Sequence, residues 1–174
     1  MIRGSVAILI LIIVAPAGQP RVQRFASPSQ QLVVRAVGVG KPGFEDQESR
    51  IEVRTRAGRL LAVRDFRSAD GEHGFGILHG EWTRDGRWFV FNVESSGGHQ
   101  PWHRPTYAFD RRSGRYYAID DYVGPVTSDF TLVGRGSVRT TRMNRETGVQ
   151  DEPVILHLSR IVELTRSRRG RPNA

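Results

Sequence analysis

Apolar positions in this chain recur every second residue in short runs, and Gly, Asp and Pro break those runs at intervals. A period of two is the signature of strands whose faces alternate between core and solvent. Gln31 to Val39 (QLVVRAVGV) is rich in β-branched residues and stops at Gly40-Lys41-Pro42-Gly43, which predicts a first strand ending in a turn. Ile51 to Val63 puts Ile51, Val53 and Thr55 on one face and Glu52, Arg54 and Arg56 on the other, then turns at Ala57-Gly58, a half-exposed hairpin. Gly76 to Trp82 is the next strand, and Thr83-Arg84-Asp85-Gly86 supplies its turn. In Arg87 to Glu94 (RWFVFNVE), Trp88 and Val90 share one face while Phe89, Phe91 and Val93 share the other. A strand apolar on both faces is expected in the middle of the fold, covered from both sides.

Thr106 to Ile119 forms a second hairpin. Laid on the first with an offset of 56 residues, Ile51 falls on Tyr107, Val53 on Phe109, Gly58 on Gly114 and Arg59 on Arg115. Repetition of this kind predicts stacked β-modules. Beyond Asp120 the alternation weakens: Thr127 to Val133 is a candidate strand, Gly136 to Asn144 is undecided, and Pro153 to Leu158 is a short apolar strand. Ile155, Leu158, Ile161 and Val162 also fit helical spacing, so strand is assigned only to the first half of Val154 to Leu164.

The ends read differently from the middle. Residues 1–17 carry Arg3, an apolar run from Val6 to Ala15 and an Ala15-Pro16-Ala17 cleavage pattern, so a signal peptide and a secreted or periplasmic location are expected. The apolar run is too short to span a bilayer. Residues 18–30 read as a polar linker, 31–164 as a single all-β domain, and 165–174 as a disordered basic tail. The absence of cysteine excludes disulfides, thiolate metal sites and Cys nucleophiles, and export without disulfides points to a bacterial envelope protein. The net charge of +8 is almost wholly arginine, since Lys41 is the only lysine, a usage typical of GC-rich genomes. The tail is expected to make at most weak contact with anionic surfaces, and export argues against nucleic acid as a partner.

Gly80-Glu-Trp-Thr-Arg-Asp-Gly-Arg-Trp-Phe-Val-Phe91, followed by Asp110-x-x-x-Gly114-Arg115 and a further strand, resembles the WD-like β-propeller repeat of the periplasmic propeller of the Tol translocation system. Trp82, Asp85, Gly86, Phe89 and Phe91 match that repeat, and Arg84 stands where proline is usual. The resemblance covers about forty residues. It implies that Asp85-Gly86 makes a tight turn and that the aromatic residues pack between neighbouring sheets. A closed propeller needs at least four blades, so the expected architecture is all-β: antiparallel sheets from propeller-blade-like hairpins, as a partial propeller or a small β-sandwich. The loops Asp70 to Gly76 and Ser95 to His103 also resemble a group of small exported bacterial proteins of unknown function.

Four of the five histidines and all three tryptophans lie between His73 and His103. Trp82, Trp88 and His79 fall on strands and read as framework. His73, His99, Trp102, His103 and Arg104 fall on two loops that flank the Gly76 and Arg87 strands at one end, so the loops are expected to meet. Three readings stand for them. A recognition surface would set Trp102 as an aromatic shelf edged by His99, His103 and Arg104 for a glycan, a peptide or another envelope protein. A zinc site would draw on His73, His99 and His103, with Glu72 in reserve, and would support a small metal-dependent enzyme. A purely structural role would have the histidines bond loop backbone and Pro101-Trp102 plug the core. Ser95 and Ser96 lack a G-x-S-x-G elbow, and Asp120, Asp121 and Asp129 form neither a calcium loop nor an evident carboxylate pair. The expected function is therefore a non-catalytic binding domain without cofactor, with the metal-dependent enzyme as the alternative.

Overall fold

The computed structural model describes residues 21–169, so the leader expected at 1–17 and the end of the basic tail lie outside the described residues. Four strands, β1 (Val22–Ala26), β2 (Leu32–Gly38), β3 (Ser49–Thr55) and β4 (Leu60–Asp65), form an antiparallel sheet in chain order. A second sheet repeats the plan with β5 (Phe75–Trp82), β6 (Trp88–Ser95), β7 (Thr106–Asp110) and β8 (Arg115–Ala118). One helical turn, α1 (Asp120–Val123), leads to a third sheet of β9 (Thr131–Val133), β10 (Ser137–Arg142) and β11 (Glu152–His157), after which α2 (Leu158–Arg169) closes the described chain. The fold is all-β, made of small antiparallel sheets, as the alternation predicts. The hairpins 51–63 and 106–119 and the strand from residue 76 stand where the sequence puts them.

The second sheet lies between two cores, and β6 shows why. Phe89, Phe91 and Val93 join Val34, Ile51 and Val53 of the first sheet. Trp88 and Val90, one residue out of step, join Val138, Leu156, Leu158 and Ile161 of the third sheet and α2. Each β6 residue from Trp88 to Val93 is buried, so both faces of the strand are covered, as its two apolar faces require. The aromatic stack is continuous: Phe89 lies 5.6 Å from Phe91, and Phe91 lies 5.5 Å from Tyr107, centroid to centroid.

The repeat extends further than the hairpins. In the β5–β6 turn, Thr83 N–H donates to the Trp88 carbonyl (2.9 Å), Gly86 N–H to the Thr83 carbonyl (2.8 Å) and Trp88 N–H to Thr83 Oγ1 (3.0 Å). Fifty-six residues earlier, Ser27 N–H donates to the Leu32 carbonyl (2.9 Å), Gln30 N–H to the Ser27 carbonyl (2.7 Å) and Leu32 N–H to Ser27 Oγ (3.1 Å). Gly86 at φ 63° and Gln30 at φ 54° hold the same left-handed position, where glycine is free of steric cost and glutamine is not. Residues 22–26, placed in the linker by their polar composition, are therefore the first strand of the first unit. Phe25 carries them into the core, with its ring 5.3 Å from Phe89 and its carbonyl accepting Trp82 Nε1–H at 3.0 Å.

A single offset of 56 does not hold throughout. The ladders pair Val34 with Val53 and Val90 with Ala108, so β3 and β7 correspond at an offset of 55. One residue changes which face is compared. Val53 is thus the counterpart of Ala108, while Arg54 is the counterpart of Phe109. The first sheet consequently carries Val33, Arg35 and Arg54 on its outward face, where the second sheet has Phe89, Phe91 and Phe109 facing the first core. On that outward face Glu52 is buried beneath a fan of arginines, with Arg54 Nε 2.8 Å, Arg50 Nη2 3.0 Å and Arg35 Nη1 3.6 Å away. The terminal face is charged, not aromatic, and no sheet of the described residues covers it.

The third sheet settles the ambiguous end. Residues 137–142, undecided from sequence, form its central strand, and residues 127–130 stay irregular, so the strand expected from Thr127 begins at Thr131. Glu152–His157 is strand and the chain becomes helical at Leu158, buried with Ile161 against the second sheet. The helix runs on to Arg169, which corrects the expected disordered tail over residues 165–169: Tyr122 and Thr165 hydroxyls lie 2.6 Å apart and tie this turn to α1.

Candidate functional site

The β5–β6 hairpin ends at the Phe75–Ser95 pair, so the loops before β5 and after β6 leave from one end of the second sheet. Glu48, immediately before β3, joins them. Its carboxylate is fully buried; Oε1 accepts Ser68 Oγ–H (2.6 Å), Gly74 N–H (2.7 Å) and Ser96 Oγ–H (3.2 Å), and Oε2 accepts Ser68 N–H (3.1 Å). Ser96 N–H donates to the Gly74 carbonyl at 3.0 Å. Burial alone would push the Glu48 carboxyl up, but the donors from Ser68, Gly74 and Ser96 together outweigh it and hold the group below the usual range. Gly74 is required here because a Cβ would sit 2.4 Å from the Phe66 carbonyl oxygen and 2.6 Å from the Glu48 carboxyl.

Asp70 organises the first loop from within. Oδ1 accepts Glu72 N–H (2.9 Å) and His73 N–H (3.2 Å) and shares the Ser68 Oγ–H proton with Glu48 (2.8 Å), while Oδ2 accepts from His73 Nδ1. The Glu72 N–H, then Ser68, then His73 hold its carboxyl well below the usual carboxylate range. With Nδ1 bonded to Asp70, the ring of His73 is fixed and its Nε2 edge is free. The ring lies parallel to His99 of the second loop, centroids 5.5 Å apart and planes 12° apart. Both histidines are exposed, and Lys41 pairs with Glu72 beside them. The two loops therefore converge, and they do so through His73 and His99.

The remaining candidates lie elsewhere. His103 Nε2 donates to Asp120 Oδ1 at 2.6 Å, and the same carboxylate accepts Thr106 N–H (3.0 Å) and Val126 N–H (3.2 Å). That clamp fastens the loop to the start of α1. Trp102 is half-buried and stacks on His103, 5.5 Å between centroids, outside both cores; the expected Pro101-Trp102 core plug does not form, and Pro101 is exposed. Arg104 Nη1 donates to Glu94 Oε2 at 3.0 Å, and Arg104 N–H to the Val126 carbonyl at 2.8 Å. His79 is exposed, with its ring 5.0 Å from Phe130.

The structure thus divides the three histidines between two places. His73 and His99 pair, but His103 is committed to Asp120, and among the described residues no group of three His, Asp or Glu side chains is placed to hold a metal ion. The chain matches no known family model and no curated protein. What the junction can do follows from its own geometry: it offers two parallel imidazole faces, their ring N–H and N edges, and the Lys41–Glu72 pair, all on loops held from beneath. Glu48 was not legible as part of this arrangement, because Asp46-Gln47-Glu48-Ser49 reads as a solvated polar run. Asp70 carried a signal in its Asp-Gly-x-His spacing, which suits an aspartate that bonds the backbone two and three residues on.

Proposed function

We propose that the chain is an exported, non-catalytic recognition domain whose ligand is a glycan or peptide of the bacterial envelope, bound at the His73–His99 junction. The observation that carries this reading is the parallel, exposed imidazole pair held by a fully buried carboxylate. Recognition sites are built this way, with the contact groups exposed and their supports locked by hydrogen bonds below. A sugar ring can stack on an imidazole face while its hydroxyls meet the ring edges.

Two further features support the reading. The Ser27–Leu32 turn repeats the Thr83–Trp88 turn, with Pro28 at the position where a Tol-type WD-like repeat has proline, which favours a propeller-blade ancestry for both units. His103 Nε2, the Asp120 carboxylate and Arg104 Nη1 are engaged in bonds that fasten the fold, which favours His73 and His99 for the recognition role, with Trp102 at the margin. The test is calorimetric titration with a soluble muropeptide, which carries both an amino sugar and a peptide. Binding is expected, and it weakens by about tenfold in His99→Ala, the loss of one or two polar contacts. Equal binding by wild type and variant, or no heat at millimolar muropeptide, overturns the proposal.

A further inference from the structure

At the opposite end of the first two sheets, the β3–β4 and β7–β8 turns stand side by side. Gln31 ties them: its carbonyl accepts Arg56 N–H at 2.9 Å and its Oε1 accepts Arg111 Nη2–H at 2.6 Å. Between the turns opens a cavity of about 470 Å³. Leu32 and Phe109, both buried in the first core, form its floor, and Leu61, 43% exposed, stands at its mouth. Arg59 and Arg111 form the rim, and Arg56 and Arg112 are exposed on the same two turns. Among the described residues, no carboxylate lies within 4.0 Å of any of these four guanidinium groups, although the arginines of the adjoining sheet face, Arg50 and Arg54, are paired with Glu52.

Four like charges on two adjacent turns repel one another, and a bound anion relieves that repulsion. Guanidinium is also the side chain best shaped to take a carboxylate with two parallel hydrogen bonds. A charged rim alone would suit any anion, but the floor is apolar and the volume is that of a small-molecule site. We infer that this cleft binds a free amphipathic carboxylate of the medium-chain fatty-acid type, with its head between Arg59 and Arg111 and its chain against Leu32, Leu61 and Phe109. The site is separate from the histidine junction and stands or falls independently of it.

Octanoate is the probe, compared by titration calorimetry with acetate, which has the head alone, and octyltrimethylammonium, which has the chain with the opposite charge. Octanoate is expected to bind at least about tenfold more tightly than either, since each charged hydrogen bond and the buried chain contribute on that scale. The Arg59→Gln, Arg111→Gln double variant and Leu61→Asp are each expected to lose about tenfold in octanoate affinity. All three positions are exposed, and unchanged thermal melting verifies that the variants fold. Acetate binding as tightly as octanoate would reduce the site to a charged patch and overturn the inference. Equal binding of the cationic probe, or variants that keep full affinity, would overturn it as well. So would binding of phosphatidylglycerol vesicles with no binding of octanoate.

Discussion

Glu48 shows how much a single buried side chain can organise. Glu48→Ala removes the acceptor of the Gly74 and Ser68 N–H groups, the former buried, and each unsatisfied buried donor costs about 1–3 kcal/mol. A loss of about 3 kcal/mol in urea unfolding is expected, together with separation of the two loops. The pH dependence follows from the sign of the carboxyl shifts. Glu48, Asp70, Glu52, Asp65 and Asp85 are all held below their ordinary range in the folded state. As pH falls, the unfolded chain therefore takes up these protons first. Their stabilisation is fully present above about pH 5, over the unfolded carboxyl range, and is lost as pH drops through the folded values. The urea midpoint is expected to hold between pH 7 and 5 and to fall steeply by pH 3, with a shallower fall in Glu48→Gln; a midpoint that rises on acidification contradicts the assignment. At this scale the sequence revealed His73 and His99, because the loops flanking one hairpin must leave from the same end. It could not reveal Glu48, since burial of a carboxylate depends on three distant segments arriving around it.

Strand β6 and its turn carry the strongest predictions for single elements. Phe91 and Trp88 face different cores and are both buried, so Phe91→Ala and Trp88→Ala are each expected to cost about 3–5 kcal/mol. A strand covered on one face only would show that penalty for one of the two. The duplicated turn makes a paired prediction. Gly86→Gln forces a side chain into the left-handed region and is expected to destabilise by about 1–2 kcal/mol, whereas Gln30→Gly, at the equivalent position, relieves that cost and stabilises by about 0.5 kcal/mol. Thermal melts of the two variants should therefore move in opposite directions. Strand β6 was legible because both of its faces are apolar. Strand β1 was not, because Gln23 and Arg24 break its pattern and its one aromatic residue, Phe25, packs partly buried against the core. The helical turn α1 was missed for a different reason: one turn has no periodicity to detect.

The molecule as a whole is a stack with unlike ends. The third sheet and α2 cover one side of the second sheet, while the outward face of the first sheet carries Arg35, Arg50 and Arg54 around Glu52 in place of the aromatic residues of its sister unit. Terminal units of stacked repeats turn a polar face to solvent in this way. Light scattering of the protein is expected to give a monomer, and Arg35→Phe with Arg54→Phe, which restores the residue type of Phe91 and Phe109, is expected to promote association. The hairpin repeat in the sequence correctly pointed to stacked modules, yet a uniform offset aligned Val53 with Phe109 and so hid the difference between the two outward faces. The bulge that shifts β3 against β4 at Val53 and Arg54 belongs to the ladder and is silent in composition.

Imidazole-proton NMR reads out the proposed recognition surface in which two loops hold His73 and His99 rigidly together. In the free protein, cross-peaks between the His73 and His99 rings are expected, and they disappear in Glu48→Ala. On addition of the muropeptide, the signals of His73 and His99 are expected to move together while those of His79 and His157 stay in place. Ring cross-peaks that are absent from the wild type, or a titration that moves His79 or His157 and leaves the pair unchanged, would contradict the account.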